Sequence, residues 1–144
     1  MTKIYKKDCT TVELSVDPHG DLFFYKNRVF RAINEEYVCD VKNMFSSGFI
    51  DELNRKELFP KSWISDVQIE DYNLVIEHEK IEHWNYPYEW SFDMLKDAGL
   101  TILEVNEIAN KYGYQIFDGH ANNVVFNMNK PQYIDLGSFI KKHN

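Results

Sequence analysis

The chain predicts an α+β fold: short strands, some paired in an antiparallel hairpin, then a long helix and a closing strand hairpin. Three observations lead there. Short apolar runs of strand length crowd the first half, one long stretch of helical periodicity follows Pro87, and two further short apolar runs flank the polar Asn127-Met-Asn-Lys130.

Composition narrows the class before any motif does. At 144 residues the chain fits a single domain, 1–144, with a sizeable core, and no repeat or linker divides it. Hydrophobic residues at 44% and aromatics at 15% exclude a disordered chain. A formal charge of −7 argues against nucleic-acid binding, which needs a basic surface to displace counterions. No apolar run approaches the roughly 18 residues of a membrane span, so no membrane partner is expected. Met1-Thr-Lys-Ile-Tyr-Lys-Lys has no apolar stretch after its charges and does not read as a secretory signal. Cys9 and Cys39 form neither a metal pattern nor a disulfide framework, so a reduced, cytoplasmic setting is the expectation.

Taken in order, Thr10 to Val16 alternates weakly and predicts a strand, closed by Asp17-Pro-His-Gly20. Leu22-Phe-Phe-Tyr25 and Val29-Phe-Arg-Ala-Ile33, around Lys26-Asn27, predict a hairpin. Asn34 is placed to cap a helix over Glu35 to Phe45, with Glu35 and Glu36 at its positive end. Ser46-Ser-Gly48 interrupts it, and a second helix is expected from Phe49 to Leu58, before Pro60. Val67-Gln-Ile69 and Leu74-Val-Ile76 read as strands joined by Glu70-Asp-Tyr-Asn73. Phe92, Leu95, Gly99, Ile102, Val105, Ala109 and Tyr112 then recur at helical spacing, and Gly113 is placed to stop the helix. Val124-Val-Phe126 and Tyr133-Ile134 form the closing hairpin.

The residues that carry chemistry lie in Asp118-Gly-His-Ala-Asn-Asn123 and Pro131-Gln-Tyr-Ile-Asp135-Leu-Gly137. Asn123 stands five residues after Asp118, and Asp135 twelve after Asn123. Each piece has a plain structural reading, since Asp-Gly and Asn-Asn are ordinary turn formers. Their joint order and spacing resemble the catalytic loop, hairpin and metal-binding turn of protein-kinase-like phosphotransferases. That resemblance makes Asp118 the base candidate and Asn123 and Asp135 the Mg²⁺ ligands, with ATP as the implied nucleotide.

A more specific resemblance runs over about residues 20 to 140. Tyr86-Pro-Tyr-Glu-Trp-Ser-Phe-Asp-Met-Leu-Lys-Asp-Ala98, Asp118, Asn123 and Ile134-Asp-Leu-Gly-Ser-Phe139 are similar to a bacterial family of kinase-like domains. Val29-Phe-Arg-Ala-Ile33 and Val75-Ile-Glu-His-Glu79 resemble that family's small-lobe strand and hinge. Such domains are often joined to S-adenosylmethionine-dependent methyltransferases, in nodulation and surface-glycan contexts. The resemblance implies a small antiparallel-sheet lobe at about 10–85 and the start of a helical large lobe at 86–144. Relatives of this kind continue well beyond the Asp-hydrophobe-Gly turn, so the large lobe is expected to be truncated. No Gly-rich loop follows a strand and opens a helix here, and methyltransfer by this chain is not expected.

The same resemblance puts Arg31 where kinase-like folds hold the phosphate-contacting Lys. A guanidinium can bind phosphate bidentately, and the alternative is a surface Arg on a strand. No Gly-x-Gly-x-x-Gly loop is present to cover a phosphate. Glu35, Glu36, Asp40 and Glu52 are the candidates to pair Arg31. Glu77, His78 and Glu79 form the implied hinge, whose backbone would meet an adenine edge while its side chains face solvent. His78 and His83 are spaced one residue too far apart for a His-Glu-x-x-His zinc motif. His120 either orients Asp118 or simply tolerates the turn. Trp84, Tyr86, Tyr88 and Trp90 have two roles open, stacking on a ligand or packing between strands and helix.

Two functions follow. One is Mg-nucleotide binding with phosphate transfer to a small, sugar-like hydroxyl. The other is a non-catalytic, pseudokinase-like adaptor for a separate methyltransferase or glycan-modifying partner, which an exposed apolar patch on the long helix would support.

Overall fold

A computed structural model describes residues 2–11, 17–83 and 85–143. Residues 12–16 of the expected first strand, and Trp84, lie outside the described residues. The elements are β1 (Lys3–Ile4), β2 (Thr10–Thr11), β3 (Gly20–Tyr25), β4 (Arg28–Ile33), α1 (Val38–Ser46), α2 (Phe49–Arg55), β5 (Ser62–Ile64), β6 (Gln68–Ile69), β7 (Leu74–His78), α3 (Phe92–Lys111), β8 (Tyr114–Ile116), β9 (Val124–Asn127), β10 (Lys130–Tyr133) and β11 (Phe139–Lys141).

The small lobe is a five-stranded sheet of order β2-β3-β4-β7-β5, antiparallel throughout. Lys26 and Asn27, at φ 45° and 62°, turn the β3–β4 hairpin in the left-handed region that suits the twist of paired strands. Register divides the side chains between two faces. Leu22, Arg31 and Ile76 are aligned across the sheet, as are Val29, His78 and Ser62, and these residues share the inner face. Phe23, Phe30 and Glu77 align on the outer face.

Each face has its own core. Phe23, Phe30, Ala32 and Val75 pack outward with Ile4, Val67 and Ile69, supplied by the parallel pair β1–β6 and the residue before it. Ile33, Leu74 and Ile76 pack inward against Val41, Met44, Phe49 and Leu53 of α1 and α2, and onward to Val105, Ile108, Tyr114 and Phe139. One continuous apolar body therefore ties the sheet to α3 and its flanking strands, and it fixes how the two lobes meet.

Several expectations are corrected. Asn34 does not cap a helix: its Nδ2 donates to the Pro18 carbonyl at 3.1 Å, and a single 3₁₀ turn over Glu35–Tyr37 precedes α1. The strands expected at Val67-Gln-Ile69 and Leu74-Val-Ile76 form as β6 and β7, with narrower and wider bounds; β6 pairs β1 while β7 lies between β4 and β5. The stripe on α3 is half right. Val105 and Ala109 are buried, joined by Ala98, Thr101 and Ile108, but Phe92 is 81% exposed and Leu95 is exposed too. Gly113 ends the helix at φ 84°, as expected.

Candidate functional site

Arg31 sits at the centre of β4, where ladders to β3 and β7 fix its backbone and register turns its side chain inward. It is only 7% exposed. Its Nη1 donates to the carboxylate of Asp17, and Asp17 Oδ1 also accepts the His19 backbone N–H at 2.9 Å. None of the four acids named for this role pairs Arg31. Glu35 accepts from Asn73 at 2.7 Å, Asp40 pairs Lys141 at 2.5 Å and Glu52 pairs Lys111 at 2.9 Å. Asp17 belongs to a Pro-Gly turn and carries no periodic or motif signal, so sequence reasoning took it as a turn former.

The same carboxylate joins the two lobes. A Cβ built on Gly137 would lie 1.9 Å from Asp17 Oδ1, so Asp17 rests directly on the glycine of the Asp135-Leu-Gly137 turn. Only glycine leaves that room. Burial lowers the pKa of Arg31, and the charge of Asp135 acts in the opposite sense. His19 behaves alike: burial lowers its pKa, and Asp135 is the strongest opposing charge. Arg31, Asp17, His19 and Asp135 thus form one electrostatic cluster at the lobe junction. Arg31 Nε is buried there without a partner among the described residues.

The loop from Asp118 to Asn123 is held through its backbone. Asn123 Nδ2 and the Tyr133 hydroxyl both donate to the Asp118 carbonyl, at 3.0 and 2.9 Å. Burial raises the Tyr133 pKa to about 12, so the hydroxyl keeps the proton it donates. The Ile134 N–H donates to the Asn123 carbonyl at 2.9 Å, which sets Asn123 beside the strand leading into Asp135. The Asp118 residue is exposed, and its carboxylate makes no hydrogen bond among the described residues. Asn123 Oδ1 accepts no hydrogen bond among the described residues. Asp135 Oδ1 accepts the Gly137 N–H at 3.2 Å, and Oδ2 accepts no hydrogen bond among the described residues. His120 Nδ1 accepts from the Asn122 N–H at 3.1 Å, so its ring caps the turn rather than orienting Asp118.

At the end of β7 the side chains do not face solvent as expected. Glu77 is buried on the outer face, where Arg28 Nε and Nη2 hold its carboxylate at 2.7 Å each. His78 is buried on the inner face, with Nδ1 at 2.6 Å from Ser62 Oγ. The Glu79 N–H donates to the Lys61 carbonyl at 2.8 Å, and a Glu79 carboxylate oxygen accepts the Lys61 N–H at 3.2 Å. Of the aromatics before α3, Trp90 packs edge-on to Phe126 at 5.0 Å, whereas Tyr86 and Tyr88 stack on each other at 5.4 Å on the surface. A cavity of about 360 Å³ lies between α2, the segment from Glu57 to Lys61 and the β9–β10 hairpin; Glu79 lines it, whereas Arg31, Asp118, Asn123 and Asp135 do not.

Burial lowers the His78 pKa to about 3, helped by the Arg31 charge, and lowers that of His19 as well. Each ring takes a proton less readily folded than unfolded, so below about 6.5 the unfolded chain binds protons that the folded chain resists. Stability is therefore full above pH 6.5 and falls with acid, by up to about 1.4 kcal/mol per pH unit for each such ring. Urea titrations between pH 7.5 and 5 check this, because the lowered carboxylates Glu52, Glu57 and Glu77 take effect only nearer their ordinary range. A flat stability across that interval would contradict it.

The chain is similar in structure to the Legionella pneumophila kinase Lpg2603 bound to IP6, with a TM-score of 0.57 and 16% identity over 96% of this chain and 52% of that one. The fold is protein-kinase-like. The Mycobacterium tuberculosis PknI kinase domain also matches, at a TM-score of 0.48 and 12% identity over 94% of this chain and 60% of that chain. Among curated proteins, the nodulation protein NoeA of Rhizobium meliloti (strain 1021) is 28% identical over 129 residues, which is 83% of this chain. The chain spans 26% of that relative's length. No family model matches. Among the described residues no helix is long and apolar enough to cross a membrane.

Within this fold, the β3–β4 hairpin and β7 form the small-lobe sheet, residues 79–91 connect to α3, and the β9–β10 hairpin carries Asn123 and Asp135 at its base. The sequence order anticipated this arrangement.

Proposed function

We propose that the chain binds a magnesium nucleotide between Arg31 and the Asp135-Leu-Gly137 turn and transfers phosphate to a small hydroxyl substrate such as a sugar. The observation that carries this is the buried Arg31 guanidinium, brought by Asp17 against the turn that bears Asp135. A buried cation favours an anion; Asp135 is close enough for its charge to act on Arg31, and Asn123 is tied through its carbonyl to Ile134, next to Asp135.

The donor set fits the ion. Asn123 Oδ1 and Asp135 Oδ2 are hard oxygens, the type magnesium takes alongside phosphate and water. Asn123 and Asp135 would hold Mg²⁺, which when bound supplies charge neutralisation on the phosphates. Arg31 exchanges the Asp17 carboxylate for a phosphate oxygen and stabilises the charge that spreads over the transferring group. Asp118, anchored by its carbonyl and with no hydrogen bond to its carboxylate among the described residues, takes the proton of the acceptor hydroxyl as that oxygen bonds to the γ-phosphorus and the bond to the departing ADP breaks. The chain leaving β7 at Glu79 meets the base, since the backbones of Glu77 and His78 are taken up by pairing with β4 and β5. Asp118→Asn should lower the rate of phosphate transfer from ATP to a sugar acceptor by about a hundredfold or more while leaving nucleotide affinity intact. A variant that transfers as fast as the native chain would remove Asp118 from the mechanism.

A second reading rests on α3. Phe92, Leu95, Leu100 and Leu103 are all at least half exposed, the largest value being 81%. Apolar side chains presented along one helix suit a protein partner better than solvent. Read this way, the chain is a kinase-like adaptor for a methyltransferase or glycan-modifying enzyme, in keeping with the nodulation relative. Calorimetric binding to such an enzyme that disappears in Leu103→Glu would favour this reading; no binding would leave the patch without a role in it.

A further inference from the structure

We propose that His78 reads the base of the nucleotide, its Nε2 accepting a hydrogen bond from the exocyclic amino group of adenine. The inference deepens the nucleotide-binding function above and rests on it.

Ser62 fixes which ring nitrogen carries the proton. Ser62 Oγ lies 2.7 Å from the Pro60 carbonyl, which can only accept, so the hydroxyl proton points there. The same Oγ lies 2.6 Å from His78 Nδ1. Having spent its one proton, the hydroxyl accepts on this side, and Nδ1 must be the N–H. In a neutral imidazole the other nitrogen is then a bare lone pair. Desolvation and the nearby Arg31 charge keep the ring neutral across the physiological range. His78 Nε2 is therefore an obligate acceptor, and it is buried with no partner among the described residues.

An unpaired buried acceptor is unfavourable, and each one in a folded protein asks for an explanation. Among the described residues no hydrogen bond reaches it. His78 is flanked by Ser62 on β5, by Val29 on β4, and by the ring of Phe59, whose centroid lies 6.0 Å away. Arg31, two residues along β4 on the same face, gives Nη1 to Asp17, and its own Nε is also without an acceptor. The two nitrogens of an imidazole point to roughly opposite sides of the ring. Since Nδ1 faces β5, Nε2 faces away from it, toward the β4 side and the face that Arg31 occupies. A nucleotide with its phosphates at Arg31 brings its base to this part of the sheet. Adenine offers an amino group to such an acceptor; guanine carries a carbonyl at that position, which would set acceptor against acceptor.

The test compares Mg-ATP with the triphosphate of purine riboside, which lacks only the 6-amino group, on the native chain and on His78→Leu, by calorimetry. The native chain should bind ATP about tenfold more tightly than the analogue, as expected for one neutral hydrogen bond to a buried acceptor. His78→Leu should bind both alike, at about the analogue's native affinity. The nitrogen NMR signals of the native imidazole give a readout that needs no variant: the Nε2 resonance should move on adding ATP and stay in place with the analogue. Equal native binding of ATP and analogue, or an unmoved Nε2 signal, overturns the role of His78 while nucleotide binding stands. If the native chain binds neither compound, nucleotide binding itself falls and the role of His78 with it.

Discussion

Asp17→Ala is expected to destabilise the folded chain by about 3–5 kcal/mol, because it leaves a buried guanidinium without its counter-charge. Arg31 and Asp17 side chains are 9% and 7% exposed, so water cannot take over the vacated contact. A chain of this size has a total stability of roughly 5–15 kcal/mol, and the variant should melt at markedly lower temperature or fail to fold. Two controls separate charge from packing. Asp17→Leu combined with Arg31→Met removes both charges and should restore most of the loss, since a buried pair replaced by apolar side chains is often neutral or better. Mg-ATP should rescue Asp17→Ala more than it stabilises the native chain, because phosphate then meets an Arg31 with no competing carboxylate. Unchanged stability of Asp17→Ala in urea denaturation would show that Arg31 does not depend on Asp17.

Phe49→Ala should cost about 3–5 kcal/mol, the range for truncating a fully buried aromatic. Phe49 is 0% exposed, stacks on Tyr114 at 5.5 Å and 10°, and meets Phe139 edge-on at 5.0 Å. It thereby links α2 to β8 and β11 and joins the helices behind the sheet to the strands below α3. Loss of this ring should also loosen the placement of the Asp135 turn, which leads directly into β11. A loss below about 1 kcal/mol in chemical denaturation would mean that the junction repacks around the cavity.

These two residues show where sequence was legible and where it was not. The hairpin around Lys26 and Asn27, the long helix and the closing hairpin were readable because period and turn chemistry act over a few neighbouring residues. The strands β1, β5, β8 and β11 were not, being two or three residues long and defined by partners far along the chain. Phe92 and Leu95 were read onto one apolar stripe of the helix and are exposed, because periodicity marks an apolar face without saying what covers it. At the site, the spacing of Asp118, Asn123 and Asp135 was legible, and the structure holds Asn123 to the Asp118 loop and sets it beside the strand into Asp135. Asp17 was not, since a turn residue becomes an ion-pair partner only when the tertiary fold lays it on Arg31 and Gly137. Glu77 and His78 were read as following the strand with side chains in solvent, but β7 runs on to His78 and both side chains are buried. Their burial comes from Arg28 and Ser62, which lie on neighbouring strands.

The acceptor geometry of the whole junction makes sense around a magnesium nucleotide, and that is the point to test first. Binding should be measured as thermal stabilisation by Mg-ATP and Mg-GTP, on the native chain and on Asp135→Ala. Nucleotide at about 100 times its dissociation constant should stabilise the native fold by roughly 2.7 kcal/mol, only with magnesium present, and the effect should vanish in Asp135→Ala. No shift of the native chain at millimolar nucleotide would contradict the proposal and leave the kinase-like fold serving as a scaffold for a protein partner.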